Sequence, residues 1–208
     1  MKKTIILFLL VFMMTGCFLT GGDKVERKFP AEVKSELYGA LNDAENVIKS
    51  KGVHKIQPKN VKVELIPGEK KIGGMWVFKA PELKNMWVLG ITLASGRIVR
   101  LAHEPGNRRG INIAVAIHEF AHHWLFSNGH RDGHYPLYDK NFINWAYSRK
   151  MQGRSLIEHD GSIEILSVTY LEASEVGLLS LEEKFQPVSV TALKNGEIIT
   201  YCGVIEIE

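Results

Sequence analysis

The stretch that most constrains this chain is an apolar run leading directly into a cluster of histidines. Residues 111–117 read INIAVAI, and residues 118–122 read HEFAH. Apolar side chains at helical spacing through this segment predict an α-helix that stops near Asn128-Gly129. Imidazole and carboxyl groups placed straight after a buried run are costly unless they have partners. We therefore expect this helix to carry a functional site in which these polar side chains have partners.

The spacing of the two histidines predicts that they share one face of the helix. Positions four apart, such as His118 and His122, are separated by about 40° of rotation and about 6 Å of rise, so both imidazoles can meet one small cation. Neutral imidazole suits Zn²⁺, and Glu119 is placed to accept a proton from water that the metal activates. The pattern predicts a zinc site with a catalytic Glu119. A helix whose histidines merely face solvent is the plainer alternative.

The letters HEFAHH at 118–123 resemble the zincin metallopeptidases, and the resemblance covers about residues 86–151. It implies an α+β fold in which a small, mainly antiparallel sheet packs on the active-site helix, followed by a second helix. It also implies zinc ligation by His118 and His122, water activation by Glu119, and hydrolysis of peptide bonds. Cleft-lining strands in such folds hold extended substrates, and the strand ending near Leu101 is expected to do so by edge pairing.

The third zinc ligand is less plain in the sequence. The nearest likeness is to compact SprT-like and WLM-type zincins, in which a histidine follows the motif and precedes a phenylalanine. The letters GHRDGHYPLYDKNF at 129–142 supply His134, which we expect to be the third ligand, with His130 as the alternative. Tyr138 or Asp139 could also take the role. A thermolysin-type arrangement would instead use a glutamate from a later helix, with three candidates: Glu164, Glu172 and Glu175.

Other polar residues near the motif are expected to lie outside the set of metal ligands. His123 lies about 100° round the helix from His122, so we do not expect it to bind the metal. We expect it to contact a metal-binding residue or to face solvent. His103 is expected at the surface, near the rim of a cleft. The catalytic electrophile for the oxyanion stays open among Tyr135, Tyr138 and His123.

The N-terminus predicts export. Residues 1–16 carry two lysines, an apolar run and small residues before Cys17, which is typical of a bacterial lipoprotein signal peptide. The resemblance to the lipobox implies lipidation of Cys17 and membrane anchoring through that lipid. Phe18 rather than aspartate after this cysteine implies an outer-membrane address facing the periplasm. Residues 17–30 are interpreted as the lipidated N-terminus and a tether.

The rest of the chain predicts a single domain over residues 31–208. A helix is expected over 31–51, three or four strands between 61 and 102, a helix from about Pro136, and a terminal hairpin about Asn195-Gly196. Residues 162–177 fit either a helix capped by Ser162 or a strand, and we favour the helix. The formal charge of +3 is scattered, so no nucleic-acid partner is expected.

Two functions follow as hypotheses. The first is a zinc-dependent metallopeptidase, exported as a lipoprotein, that acts on protein or peptide substrates. The second is a non-catalytic lipoprotein that uses a zincin scaffold for binding or for envelope structure. This alternative is favoured because the segment expected to hold the third zinc ligand matches the family pattern imperfectly.

Overall fold

The computed structural model describes residue 29 and the ranges 31–52, 61–95, 97–107, 110–129 and 156–207. The predicted signal peptide, Cys17, the predicted tether apart from Phe29, and the helix expected from Pro136 lie outside these residues. Phe29 was assigned to the tether, but its side chain is buried in the core that lies beneath the helices. Within them the chain forms two α-helices and eight strands: α1 (Ala31–Ser50), β1 (Lys62–Pro67), β2 (Lys70–Ile72), β3 (Met75–Lys79), β4 (Met86–Leu93), β5 (Ile98–His103), α2 (Ile113–Ser127), β6 (Glu164–Tyr170), β7 (Phe185–Lys194) and β8 (Glu197–Glu206). The predicted α+β class is confirmed.

The strands form one open, mostly antiparallel sheet. The order across it is β1-β5-β4-β8-β7-β6, and only the β1–β5 pair is parallel. β3 pairs with the first part of β4, and β2 forms a hairpin with β3. The last hairpin of the chain, β7–β8, thus lies inside the sheet, with β8 hydrogen-bonded to β4.

Both helices lie on one face of the sheet. Alternate residues of a strand point to opposite faces, so Cys202 and Val204 of β8 join the core beneath α1 and α2, whereas Tyr201 and Ile205 join a second core on the other face. α1 packs against α2 through a buried stripe at Val33, Leu37, Ala40, Ala44 and Ile48. The motif helix is therefore held between the sheet and α1.

Several local predictions are confirmed. α1 ends at Ser50, and Gly52 follows in the left-handed conformation that favours glycine. α2 spans Ile113–Ser127 with Asn128 as its C-cap. β7 and β8 turn at Asn195-Gly196, both with positive φ, as a two-residue hairpin of this composition requires. β4 and β5 pair antiparallel, with Leu93 opposite Ile98, as predicted for this hairpin.

The helix favoured over residues 162–177 is wrong. The segment forms β6 and then a 3-10 helix at Ala173–Val176, which ends at Gly177. Branched residues such as Ile165 and Val168 pack into the second core when the strand pairs with β7. Ser162 does not cap a helix, since its backbone N–H and its hydroxyl both donate to Asp160 Oδ1. Gly177 was a correct stop signal for an element of the wrong type.

The count of early strands is also larger than predicted. Among the described residues, five strands precede α2 instead of three or four, because the Lys70–Ile72 segment adds a short antiparallel partner to β3. Neither helix among the described residues is long and apolar enough to cross a membrane.

Candidate metal centre

Side-chain hydrogen bonds fix the start of the motif helix. Asn112 caps α2, since its Oδ1 accepts from the Val115 N–H at 3.2 Å. Its Nδ2 also donates to the Val176 carbonyl at 2.7 Å, which ties the helix to the 3-10 turn. Gly177 leaves room for this contact, because a Cβ there would lie 2.8 Å from Asn112 Oδ1. The start of the motif helix is thus fixed by its own cap and by a contact with the later 3-10 turn.

The structure brings His118 and His122 together on one face of α2. Their Nε2 atoms lie 3.0 Å apart, and the rings meet edge to face with centroids 4.6 Å apart. His122 is buried and its Nε2 lies 3.4 Å from Ser189 Oγ on β7, whereas His118 is half-buried. Two ring nitrogens therefore lie close together between the helix and the sheet.

Glu119 points from the same helix into the sheet and is fully buried, with 0% of its surface exposed. Thr92 Oγ1 on β4 lies 3.0 Å from the Glu119 carbonyl oxygen and 2.5 Å from its carboxyl Oε2. One hydroxyl has one proton to donate, so both contacts are satisfied when the carboxyl is protonated and donates to Oγ1. Burial raises the pKa of Glu119 to about 8, although the hydrogen bond that the Thr92 hydroxyl donates to the ionised carboxylate opposes the rise.

Below the motif, the sheet presents a polar patch made of two cross-strand rows on β4, β8 and β7. The rows are Gly90–Cys202–Ser189 and Thr92–Thr200–Thr191. All five side chains of the patch are buried. The hydroxyls of Thr191 and Thr200, and Oε1 of Glu119, find no hydrogen-bond partner within the described part of the chain. A helix–sheet contact of this kind is ordinarily apolar, so these buried hydroxyls without partners need an explanation.

Cys202 is the member of this patch that sequence reasoning missed. Its Sγ, one ring nitrogen of His118 and a carboxyl oxygen of Glu119 all lie within 4.8 Å of one another. Burial raises the pKa of the Cys202 thiol well above its usual range, and the nearby Glu119 and Glu175 carboxyls act in the same direction. A signal was present in the sequence, since threonine, serine and cysteine interrupt otherwise apolar strands at every second position.

His123 differs from the expectation that it could face solvent. It is buried, with 2% of its surface exposed, and burial together with the positive charge of Arg97 lowers its pKa to about 4. Within the described residues its Nε2 has no hydrogen-bond partner, and it is not part of the cluster around His118. His123 is thus a buried side chain outside the cluster around His118.

The five residues expected to complete the site lie outside the described residues. These are His130, His134, Tyr135, Tyr138 and Asp139, and their roles stay predictions. The later glutamates are described, and none of them belongs to the cluster around His118, although Glu175 lies on the 3-10 turn that contacts α2. Glu164 is exposed on β6, and Glu175 accepts a hydrogen bond from the Glu172 N–H in the 3-10 turn.

The expectation that the strand ending near Leu101 offers a free edge is wrong. This strand, β5, pairs with β1 on one side and with β4 on the other, so Leu101 faces a partner on each. The expectation that His103 is a surface residue is also wrong. It is buried, with Nδ1 2.6 Å from the Glu104 carbonyl oxygen, and it lines a cavity of about 560 Å³ beside β1. The described lining of this cavity includes no motif residue.

In comparisons with known proteins, no protein-family model, no curated protein and no solved structure matches the chain. The site is therefore interpreted from its own residues and contacts.

Proposed function

We propose that this chain is a zinc-dependent metallopeptidase of the zincin type, exported as a lipoprotein. The observation that carries the proposal is the convergence of the His118 and His122 Nε2 atoms to 3.0 Å on the helix that also bears Glu119. The motif alone specifies residue types, whereas this contact puts two zinc-preferred donors within reach of one ion.

The donor chemistry of the site fits a zinc ion. Zinc takes imidazole nitrogen, carboxylate oxygen and thiolate sulfur, and all three lie close together around His118. The Glu119 Oε1 atom is fully buried and has no donor within the described part of the chain. A polar group held beside this oxygen, such as water on a metal, would offset the cost of burying it, which supports a resident metal near this position.

In this proposal, His118 and His122 hold the metal and Glu119 moves the proton. When bound, zinc supplies Lewis acidity toward a peptide carbonyl and lowers the pKa of water. Glu119 accepts a proton at its carboxyl group and passes it to the leaving amine. Thr92 fixes the carboxyl through Oε2 and leaves Oε1 as the atom that can exchange the proton.

The address and the substrate class belong to the same proposal. Cys17 carries lipid after cleavage of residues 1–16 and anchors the domain to the outer membrane facing the periplasm. Proteins or peptides of the envelope are then the substrates within reach. Labelled lipid is expected to enter the parent chain but not the Cys17→Ser variant, and incorporation into both would remove the anchor from the proposal.

One observation favours the non-catalytic alternative. Glu119 is sealed between α2 and β4 with none of its surface exposed, in contacts that suit a protonated acid. A scaffold that binds a partner without chemistry needs no exposed base. The two functions therefore differ in what happens when Glu119 loses its ability to take a proton.

The Glu119→Gln variant separates these two functions. A glutamine amide can donate to Thr92 as a protonated acid does, so folding and zinc content are expected to persist. Peptide turnover, measured with a mixed fluorogenic peptide set, is expected to fall by about 100-fold or more, because general base catalysis is lost. Glu164→Gln, an exposed glutamate on β6, is the matched control and should keep parental turnover. Equal turnover in the parent and Glu119→Gln chains would favour the binding scaffold.

A further inference from the structure

β1 is an outermost strand of the sheet, and one of its two sides is open. It pairs with β5, and no other strand of the described ranges pairs with it. The Lys62 N–H donates to the Arg97 carbonyl, so the backbone groups of Lys62 face the β5 side. Since the backbone groups of alternate residues point to opposite sides of a strand, Val63 and Leu65 direct their N–H and C=O groups to the open side.

The open side of β1 borders a cavity of about 560 Å³. Its lining includes four consecutive residues of the strand, Glu64 to Pro67, together with Phe29 and His103. Side chains of consecutive residues point to opposite faces of a sheet, so a cavity that touches all four reaches the backbone edge between the two faces. The described residues around this cavity therefore leave the edge of β1 uncovered.

The open edge carries both kinds of residue that commonly prevent pairing between chains, namely charged residues and proline. Pro67 ends β1. Lys62 and Glu64 share the face of the sheet that lies away from the helices. Lys62 Nζ donates to Glu64 Oε1 at 2.6 Å, yet 46% of the Lys62 side chain and 26% of the Glu64 side chain stay exposed. Because these two charges are opposite, their effect on pairing depends on the partner strand and its register.

We propose that the edge of β1 pairs antiparallel with β1 of a second copy of this chain, so that the two sheets form one continuous sheet. Charge complementarity selects the register. When Val63 lies opposite Val63 of the second copy, Lys62 lies opposite Glu64 of the second copy, and the reverse pair forms as well. A shift by two residues in either direction places Lys62 opposite Lys62 or Glu64 opposite Glu64, which is repulsive.

The backbone groups of β1 agree with this register. Opposite residues of an antiparallel pair alternate between hydrogen-bonded and non-hydrogen-bonded pairs. Val63 and Leu65 face the open side, so they form hydrogen-bonded pairs with Val63 and Val61 of the second copy. Lys62 and Glu64 then occupy the non-hydrogen-bonded pairs, in which side chains approach most closely. The contact is two-fold symmetric and closes after two copies.

Charge exchange in the full chain tests this pairing. The purified parent, in detergent, is expected to form a reversible dimer in sedimentation equilibrium. Lys62→Glu alone and Glu64→Lys alone each place like charges opposite one another twice across the contact, so each should weaken dimerisation by about 10-fold or more. An equimolar mixture of the two variants restores both pairs of opposite charge. Its dissociation constant should return to within about threefold of the parental value.

The mixture separates a contact between copies from an effect within one chain. The ion pair between Lys62 and Glu64 of one chain is lost in both variants, and mixing does not restore it. Recovery on mixing therefore reports pairing between two chains. Lys51→Glu makes the same change of charge at an exposed residue after α1 and should dimerise as the parent does. Thermal unfolding checks that each variant is folded.

Three results overturn the inference. A parent chain that stays monomeric at every concentration does so, and leaves the edge of β1 to an extended segment of another protein. Dimerisation that neither charge variant weakens, or that mixing fails to restore, does so as well. Metal content and peptide turnover play no part in these outcomes, so the proposed function is tested separately.

Discussion

Gly90 shows how closely single residues are fitted around the motif. A Cβ at this position would lie 2.7 Å from Glu119 Cγ and 2.8 Å from Val115 Cγ1. Both neighbours are buried on the helix that starts at the Asn112 cap, so neither can move away freely. The glycine is therefore required by the approach of α2 to β4 and not by its own backbone conformation.

We expect Gly90→Ala to destabilise the protein by about 1–3 kcal/mol, because an added methyl group overpacks the contact with Glu119. Denaturant unfolding measures the change in the free energy of unfolding. Gly39→Ala is the control, since nothing lies within 4 Å of a Cβ at that exposed helical position. It should stabilise the protein by about 0.5–1 kcal/mol. A neutral Gly90→Ala would mean that α2 does not approach β4 as described.

At the scale of elements, a buried polar tie joins the terminal hairpin to the loop before β4. Tyr201 on β8 donates to Glu82 Oε1 at 2.7 Å, and Lys194 on β7 donates to the same oxygen at 3.2 Å. Burial raises the pKa of Tyr201 above its usual range, and its hydrogen bond to Glu82 adds to the rise. Burial also tends to raise the pKa of Glu82, but the hydrogen bonds from Tyr201 and Lys194 are among the contributions that outweigh it, so the pKa is lowered.

This tie predicts a loss of stability at alkaline pH. The folded state keeps the Tyr201 hydroxyl protonated, whereas the unfolded chain releases its proton near pH 10, so the stabilisation is complete below about pH 10 and declines above it. The free energy of unfolding of the parent should fall faster than that of Tyr201→Phe, by about 1.4 kcal/mol per pH unit. Denaturant unfolding between about pH 9 and 11 measures both slopes. The same pH dependence of the free energy of unfolding in both proteins would contradict the stabilising role of the Tyr201 hydroxyl.

The elements differ in how well their own sequence specifies them. α1 and α2 were predictable because their apolar residues repeat at helical spacing and Gly52 and Asn128 mark their ends. β6 was not, since its Ile165 and Val168 fit a short strand or a buried helix equally, and pairing with β7 decides between them. A local sequence pattern predicts an element when it contains both the spacing of the apolar residues and the residues that end the element.

At the scale of the whole molecule, the site is assembled from distant parts of the chain. The motif helix lies in the middle of the sequence, Thr92 lies before it, and Ser189 and Cys202 lie in the terminal hairpin. The sequence could predict that His118 and His122 meet, because one helix contains both. The alternating threonine, serine and cysteine residues indicated a polar face on the last two strands. The sequence could not predict that Cys202 lies beside the motif, because that contact depends on β8 pairing with β4 inside the sheet.

The most direct test of the central claim is the zinc content of the purified full chain and its histidine variants. The parent should hold about one zinc per chain, because two converging imidazoles and a further ligand bind a single ion. His118→Ala and His122→Ala should each lose most of it, while His159→Ala, which removes an exposed imidazole far from the motif in the chain, should match the parent. Equal zinc content in all four proteins would contradict a metal centre on α2.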